Sequence, residues 1–142
     1  MLTGRFEEAG ERTPEELETA YYGLLADALE EVGVEHAASE TGIDEATLSA
    51  VAADERPELT LTEAAAVLAL AEEYPHPDTV ESEARDILLM GMTTAVMDVD
   101  ALASQLGGSL EPKLIQQKVE GRQPMTLAEY AKLHHAIEAN SP

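Results

Sequence analysis

Residues 102–133 read LASQLGGSLEPKLIQQKVEGRQPMTLAEYAKL. Their order predicts a helical unit. The small Ala103 lets two helices approach, and Gly107 permits a left-handed backbone at the turn between them. Apolar residues from Leu114 to Val119 anchor a second helix. A loop from Gly121 to Pro124 follows, and residues 127–137 carry helical spacing again. The same skeleton stands earlier in the chain, in Ala38, Gly42, Leu48, Val51, Arg56-Pro57 and Leu61.

The two stretches belong to a longer self-similarity. Residues 15–73 match residues 80–139 at an offset of 65, which becomes 66 after Ile43, and 15 positions are identical. They include Leu24/Leu89, Val34/Val99, Ala38/Ala103, Ser39/Ser104, Gly42/Gly107, Leu48/Leu114, Arg56/Arg122, Thr60/Thr126 and Leu61/Leu127. Five of the 15 are Glu and two are Ala, both abundant in this chain, so about half of them discriminate.

Helix signals fill in the rest. Thr13-Pro14-Glu15-Glu16 places a Thr cap, a Pro at the first helical position and a capping-box Glu at the head of an apolar series ending at Gly33. A short helix is expected at 34–41, closed by Gly42. Another is expected from Asp44, as its cap, to Asp54, and a third from a Thr60 or Thr62 cap to Glu73. Tyr74-Pro75-His76-Pro77-Asp78 is the clearest break, because two prolines two apart cannot sit inside a helix. The second unit repeats the plan at 79–97, 99–106, 110–120 and 126–139. No segment alternates with period two, so no sheet is expected. The resulting division is a loose leader at 1–12, a first repeat at 13–74, a junction at 75–78 and a second repeat at 79–139. The helix at 79–97 is apolar on every side in its second half. That predicts either a central position between the units or a dimer interface.

Composition narrows the chemistry. The chain has 142 residues, 44% hydrophobic, with one Phe, four Tyr and no Trp, so aliphatic residues must fill its core. That size allows one compact domain or two small packed lobes. Its 29 Asp and Glu against 8 Lys and Arg give a net charge of -21. A carboxylate shell with little Lys points to adaptation to high salt; a nucleic-acid mimic or a ligand for a basic partner are the sharper alternatives. Cysteine is absent, which removes disulfides and thiol chemistry. No stretch reaches the roughly 18 apolar residues of a membrane span, and the acidic start lacks a signal core, so a cytoplasmic protein is expected. The histidines His36, His76, His134 and His135 show no metal-ligand spacing, Gly107-Gly108 is too short for a phosphate loop, and no acid/base pair stands out. No cofactor, metal, small-molecule substrate or catalytic activity is therefore expected.

On Leu102-Ala103, Leu106-Gly107, Ser109, residues 114–119, Glu120-Gly121-Arg122, Pro124 and residues 127–137, the second unit (helix-turn-helix-like at 99–133) resembles the lambda-repressor-like helix-turn-helix family. The first unit resembles it through Ala38, Gly42, Leu48, Val51, Arg56-Pro57 and Leu61. Its spacing fits better, since Gly107 to Leu114 is one residue too long. The whole chain also resembles an uncharacterised acidic helical family of haloarchaea. The expected fold is thus all-α: two four-helix, helix-turn-helix-like repeats packed into one compact domain.

The resemblance implies that a recognition helix enters the major groove of double-stranded DNA. The first unit offers Asp44-Glu45-Ala46-Thr47-Leu48-Ser49-Ala50 there, with no base. The second offers Glu111, Lys113, Gln116 and Gln117 toward base edges, with Lys118, Arg122 and Lys132 toward phosphates. All three lysines lie in residues 111–142, which carry four acids and four bases, while residues 1–110 hold the entire net charge of -21. Two functions follow. One is a DNA-binding transcriptional regulator acting through the second repeat. The other is a protein-interaction or dimerisation module, with residues 79–97 as the homodimer surface and degenerate repeats that bind no nucleic acid.

Overall fold

The computed structural model describes residues 13–71 and 76–140. The expected leader, and Pro75 of the expected junction, lie outside the described residues. Eight helices follow one another: α1 Pro14–Val32, α2 Val34–Thr41, α3 Glu45–Ala52, α4 Leu61–Leu68, α5 Pro77–Ala95, α6 Val99–Gln105, α7 Pro112–Val119 and α8 Leu127–Ala139. The described residues contain no strand, and the fold is all-α. Their only extended pairing is an isolated antiparallel bridge between Thr60 and Thr126.

Side-chain caps set most of the starts. Thr13, Thr60 and Thr126 each accept from the backbone N–H three residues on, and Glu16, Glu63 and Glu129 reach back to the cap. Asp44 occupies the cap position of α3 without a side-chain bond. Helix α5 begins two residues earlier than expected. The His76 ring accepts from the Asp78 N–H, and Pro77 is the first helical residue. Proline there loses no hydrogen bond, so the second half of the expected junction is helix.

A single apolar cluster runs through the molecule, from Leu17 in α1 to Ile137 in α8. Helix α1 packs on α8, and α4 packs on α5. Within each quartet α1 also meets α4, and α5 meets α8. Where α5 and α8 cross, a Cβ on Gly91 would stand 2.7 Å from Ile137 Cγ2, so the approach requires glycine. The bridge is reciprocal. The Leu61 N–H donates to Met125 O at 2.6 Å, and the Leu127 N–H donates to Leu59 O at 2.9 Å. Leu59, Leu61, Met125 and Leu127 are all buried beside it. Burying each such side chain contributes on the order of 2 kcal/mol.

Cap positions and most buried positions of α1–α4 can be laid on those of α5–α8, at separations the identities alone do not give. Pro14 and Pro77 open α1 and α5, 63 residues apart, and the buried Leu17, Tyr21, Tyr22 and Leu25 correspond to Val80, Ala84, Arg85 and Leu88. Helices α2 and α6 match at 65, from Val34 and Val99. Helices α3 and α7 start 67 apart and Leu48 answers Ile115, but Val51 then falls on Lys118, one residue before the buried Val119. Helices α4 and α8 match at 66, from Thr60 and Thr126. The pairs Leu24/Leu89 and Leu48/Leu114 are therefore not equivalent in place. Leu24 and Leu114 are half-buried, and Leu89 is exposed.

Candidate functional site

Helix α7 buries Ile115 and Val119 and turns Glu111, Lys113 and Gln116 to the surface. Lys113 and Gln116 lie three residues apart and so share a stripe, which Glu120 continues. Gln116 Nε2 donates to Glu120 at 3.4 Å. Gln117 is half-buried. The Lys118 Nζ donates to Pro124 O at 2.9 Å and to Glu129 Oε1 at 2.8 Å, and its side chain is only 12% exposed. Glu129 Oε1 also accepts from the Thr126 N–H, so Lys118 clamps the capping box of α8. Arg122 is paired with Glu120, and its hydrogen bond holds that carboxyl below its ordinary pKa. Lys132 is exposed on α8. Of the seven residues expected to face DNA, Glu111, Lys113, Gln116 and Lys132 are thus presented to solvent, Gln116 with a hydrogen bond to Glu120. Lys118 is committed to holding the fold.

The conspicuous surface lies at the end of α5. Leu89 is 40% exposed, Met90 69% and Val96 90%. Val80, Ala84 and Arg85 are buried in the first half of this helix; of the two places expected for its apolar second half, the central one holds for Leu88 and not for the exposed Leu89 and Met90. These residues belong to the stretch 87–97, ILLMGMTTAVM, the longest run without a charged residue in the chain. The Thr93 hydroxyl donates to Leu89 O at 3.2 Å, and so turns back on its own helix. Val96 closes the helix at φ 54°, ψ 48°, in the left-handed region. The Met97 N–H then bonds Met92 O at 2.9 Å, five residues back, which is the closure normally built on glycine. A β-branched residue there is strained by roughly 1–2 kcal/mol. No sequence signal separates this end of α5 from a buried one, because apolar periodicity does not say which neighbours arrive.

Polar groups inside the core are paired. Tyr21 Oη and His134 Nδ1 stand 2.8 Å apart, and Tyr130 Oη donates to Ala84 O at 2.9 Å. The Tyr130 ring lies edge-on to Tyr21, with 5.6 Å between centroids. Burial pushes the His134 pKa down from 6.5 to about 4, with a smaller contribution from His135, so the ring is neutral at pH 7. Burial likewise raises the Tyr130 phenol well above its ordinary value. Arg85 takes the place corresponding to Tyr22. It pairs with Glu81 and donates from Nε to Lys118 O at 3.2 Å. A shallow recess lies over it, lined by Asp78, Glu81, Ser82, Glu120 and Gly121. No group of three or more His, Asp or Glu placed to hold a metal occurs among the described residues. No single helix among them is long and apolar enough to cross a membrane. Helices α5 and α6 reach that hydropathy together but bend by 94° at their break.

Fold and surface together define a class: an all-helical protein whose described residues form eight helices and bury no unpartnered polar side chain. Its outstanding exposed groups are apolar. Residues 17–140, all but the first turn of the helical structure, match the model of a family of unknown function, DUF5791, and the chain belongs to that family. Neither the curated proteins nor the solved structures contain a match to it.

Proposed function

We propose that the chain is a protein-interaction module that works through the apolar end of α5, in the cytoplasm of a salt-adapted cell, with the two quartets as copies of one helix-turn-helix-like unit. The observation that carries this reading is the exposure of Leu89, Met90 and Val96 in a charge-free run, on a chain with 29 acidic residues. Contiguous exposed apolar surface on a soluble protein marks a contact site. The strain at Val96 strengthens it. A residue that is strained, apolar and 90% exposed gains nothing from the isolated fold.

Methionine oxidation tests this without knowledge of the partner. In dilute purified protein, peroxide should oxidise Met90 much faster than Met125, which is 0% exposed. In concentrated extract of the producing cells, at native salt, Met90 should be protected several-fold relative to that internal standard. Equal Met90 rates in the two states sink the reading.

A second reading, DNA binding through α7, draws on the exposure of Lys113 and Gln116 along one stripe. It predicts enrichment of specific genomic fragments in about 2 M KCl, where distant carboxylates are screened. Lys113→Glu should abolish that enrichment. No enrichment by the wild type, or none lost in the variant, counts against it. With Lys118 clamped and Arg122 paired to Glu120, few bases remain for phosphate, and the interaction reading is the stronger.

A further inference from the structure

We propose that a groove along α1 is the docking site for an extended peptide segment of a partner protein, one with an acidic group at one end and a basic side chain at the other. This surface is separate from the apolar end of α5.

Two recesses make the groove. One, of about 310 Å³, is lined by Thr19, Tyr22, Gly23, Asp54 and Arg56. The next, of about 380 Å³, takes up Ala26, Asp27 and Glu30 of α1 and meets the same Asp54. Positions 19, 22, 23, 26, 27 and 30 recur at intervals of three and four and so share one face of the helix. That face is about 16 Å long, the span of roughly five extended residues. Small-molecule sites enclose most of their ligand. Here Gly23, Asp27, Glu30 and Asp54 are all exposed, which suits a chain laid along the surface.

Two residues of the groove work against the fold. Gly23 sits inside α1, where glycine weakens a helix, and an added Cβ would meet nothing within 4 Å. Packing does not require it, in contrast to Gly91. Asp54 holds a left-handed turn at φ 65°, and the Glu55 N–H then bonds Ala50 O at 2.9 Å. Gly121 makes the same turn after α7 at φ 82°, with the Arg122 N–H on Gln117 O at 2.8 Å. At the separations that match the helices, Gly23 falls on Asp86 and Asp54 falls on Gly121. The second quartet thus makes both choices the backbone favours, and the first inverts both. One inversion clears the floor of the groove. The other sets a carboxylate where its two recesses join.

Charge gives the occupant a direction. Arg56 is the only Lys or Arg among the described residues of the first quartet. Its Nη1 bonds Thr19 Oγ1 at 3.2 Å and stands 3.5 Å from Glu18, which leaves donors for a carboxylate. At the other end Asp27 and Glu30, one turn apart, favour an ammonium or guanidinium, and Asp54 stands between the poles. Complementarity of this kind fixes orientation and register.

The test pans a display library of random seven-residue peptides against the purified chain in about 1 M KCl, where attraction to the general carboxylate shell is screened within about 3 Å. Enriched peptides should carry Asp or Glu toward one end and Lys or Arg toward the other. Gly23→Leu leaves the net charge unchanged and favours the helix, yet it should weaken binding of an enriched peptide at least tenfold, with circular dichroism unchanged. Asp54→Gly should stabilise the turn and still weaken binding several-fold. Glu83→Gln, an exposed carboxylate of α5, should bind as the wild type does. In amide NMR spectra the peptide should move the signals of Gly23 and Asp54. No enriched peptide, a uniformly basic selection, or a peptide that binds Gly23→Leu as tightly as the wild type overturns the proposal. So does a peptide that moves residues 87–97 instead.

Discussion

Helices α1 and α5 begin alike and end differently. Both open with a proline at the first helical position, and both bury a matched series, Leu17-Tyr21-Tyr22-Leu25 in one and Val80-Ala84-Arg85-Leu88 in the other. At the next residue they part. Where α5 exposes Leu89 and Met90, the corresponding places in α1 hold the half-buried Ala26 and the exposed Asp27. Helix α1 stops at Gly33, and α2 starts at once with Val34; α5 stops at the strained Val96, and α6 waits until Val99. The same frame thus ends in an acidic surface in the first quartet and in a bare apolar one in the second. A core contact fixes which residues must be apolar. A surface left without a neighbour does not, so apolar residues there call for a different reason.

The strongest way to break this comparison is through the shared core. Leu25→Ala and Leu88→Ala remove matched side chains that are 1% and 0% exposed, and each should cost about 3–5 kcal/mol. Both should shift one common denaturation curve, followed by circular dichroism in urea at fixed salt. Two transitions, each sensitive to one variant, would show that the quartets are stable separately.

A smaller effect separates α8 from α4. His134 stands where α4 has Leu68, and only His134 titrates. Its pKa is about 4 in the folded protein against 6.5 unfolded, so the unfolded chain binds the extra proton between those values. The contribution of the neutral ring is complete above pH 6.5 and is lost as pH falls through 6.5 toward 4, by about 2–3 kcal/mol. Against a Tyr21→Phe background, which removes the hydroxyl partner, adding His134→Leu should flatten that part of the stability–pH curve. An unchanged difference between the two variants from pH 7 to pH 4 refutes the assignment.

The smallest expected change is at Val96. Val96→Gly relieves the left-handed strain and should stabilise the fold by about 1 kcal/mol, read from urea denaturation at fixed salt. A variant that loses stability refutes the strain assigned to Val96.

Much of the fold was legible, because caps are local. Thr13, Thr60, Thr126, Gly33 and Gly42 mark helix ends with chemistry contained in a few adjacent residues. The alignment of the two halves was less legible, because abundant Glu supplies identities at the wrong separation, whereas burial separates α1 from α5 by 63. The candidate site was the least legible part. Lys118 reads as a phosphate contact until Glu129, eleven residues away, is brought to its Nζ. The last turns of α5 read equally as core or as an interface, because apolar composition is silent about which neighbours arrive.

The reciprocal bridge has a consequence during synthesis. Leu61 finds its partner in Met125, and Tyr21 finds His134, 113 residues further along. Of the described helices α1 emerges from the ribosome first, yet the helix that covers much of it, α8, emerges after the other seven. Until then Leu17, Tyr21 and Leu25 lack part of their cover, and closing so long a loop delays the final packing. Single helices form within about a microsecond. The nascent chain nevertheless carries an unfinished apolar face until α8 has been made, and that interval is when it is most open to chaperones and to misassociation.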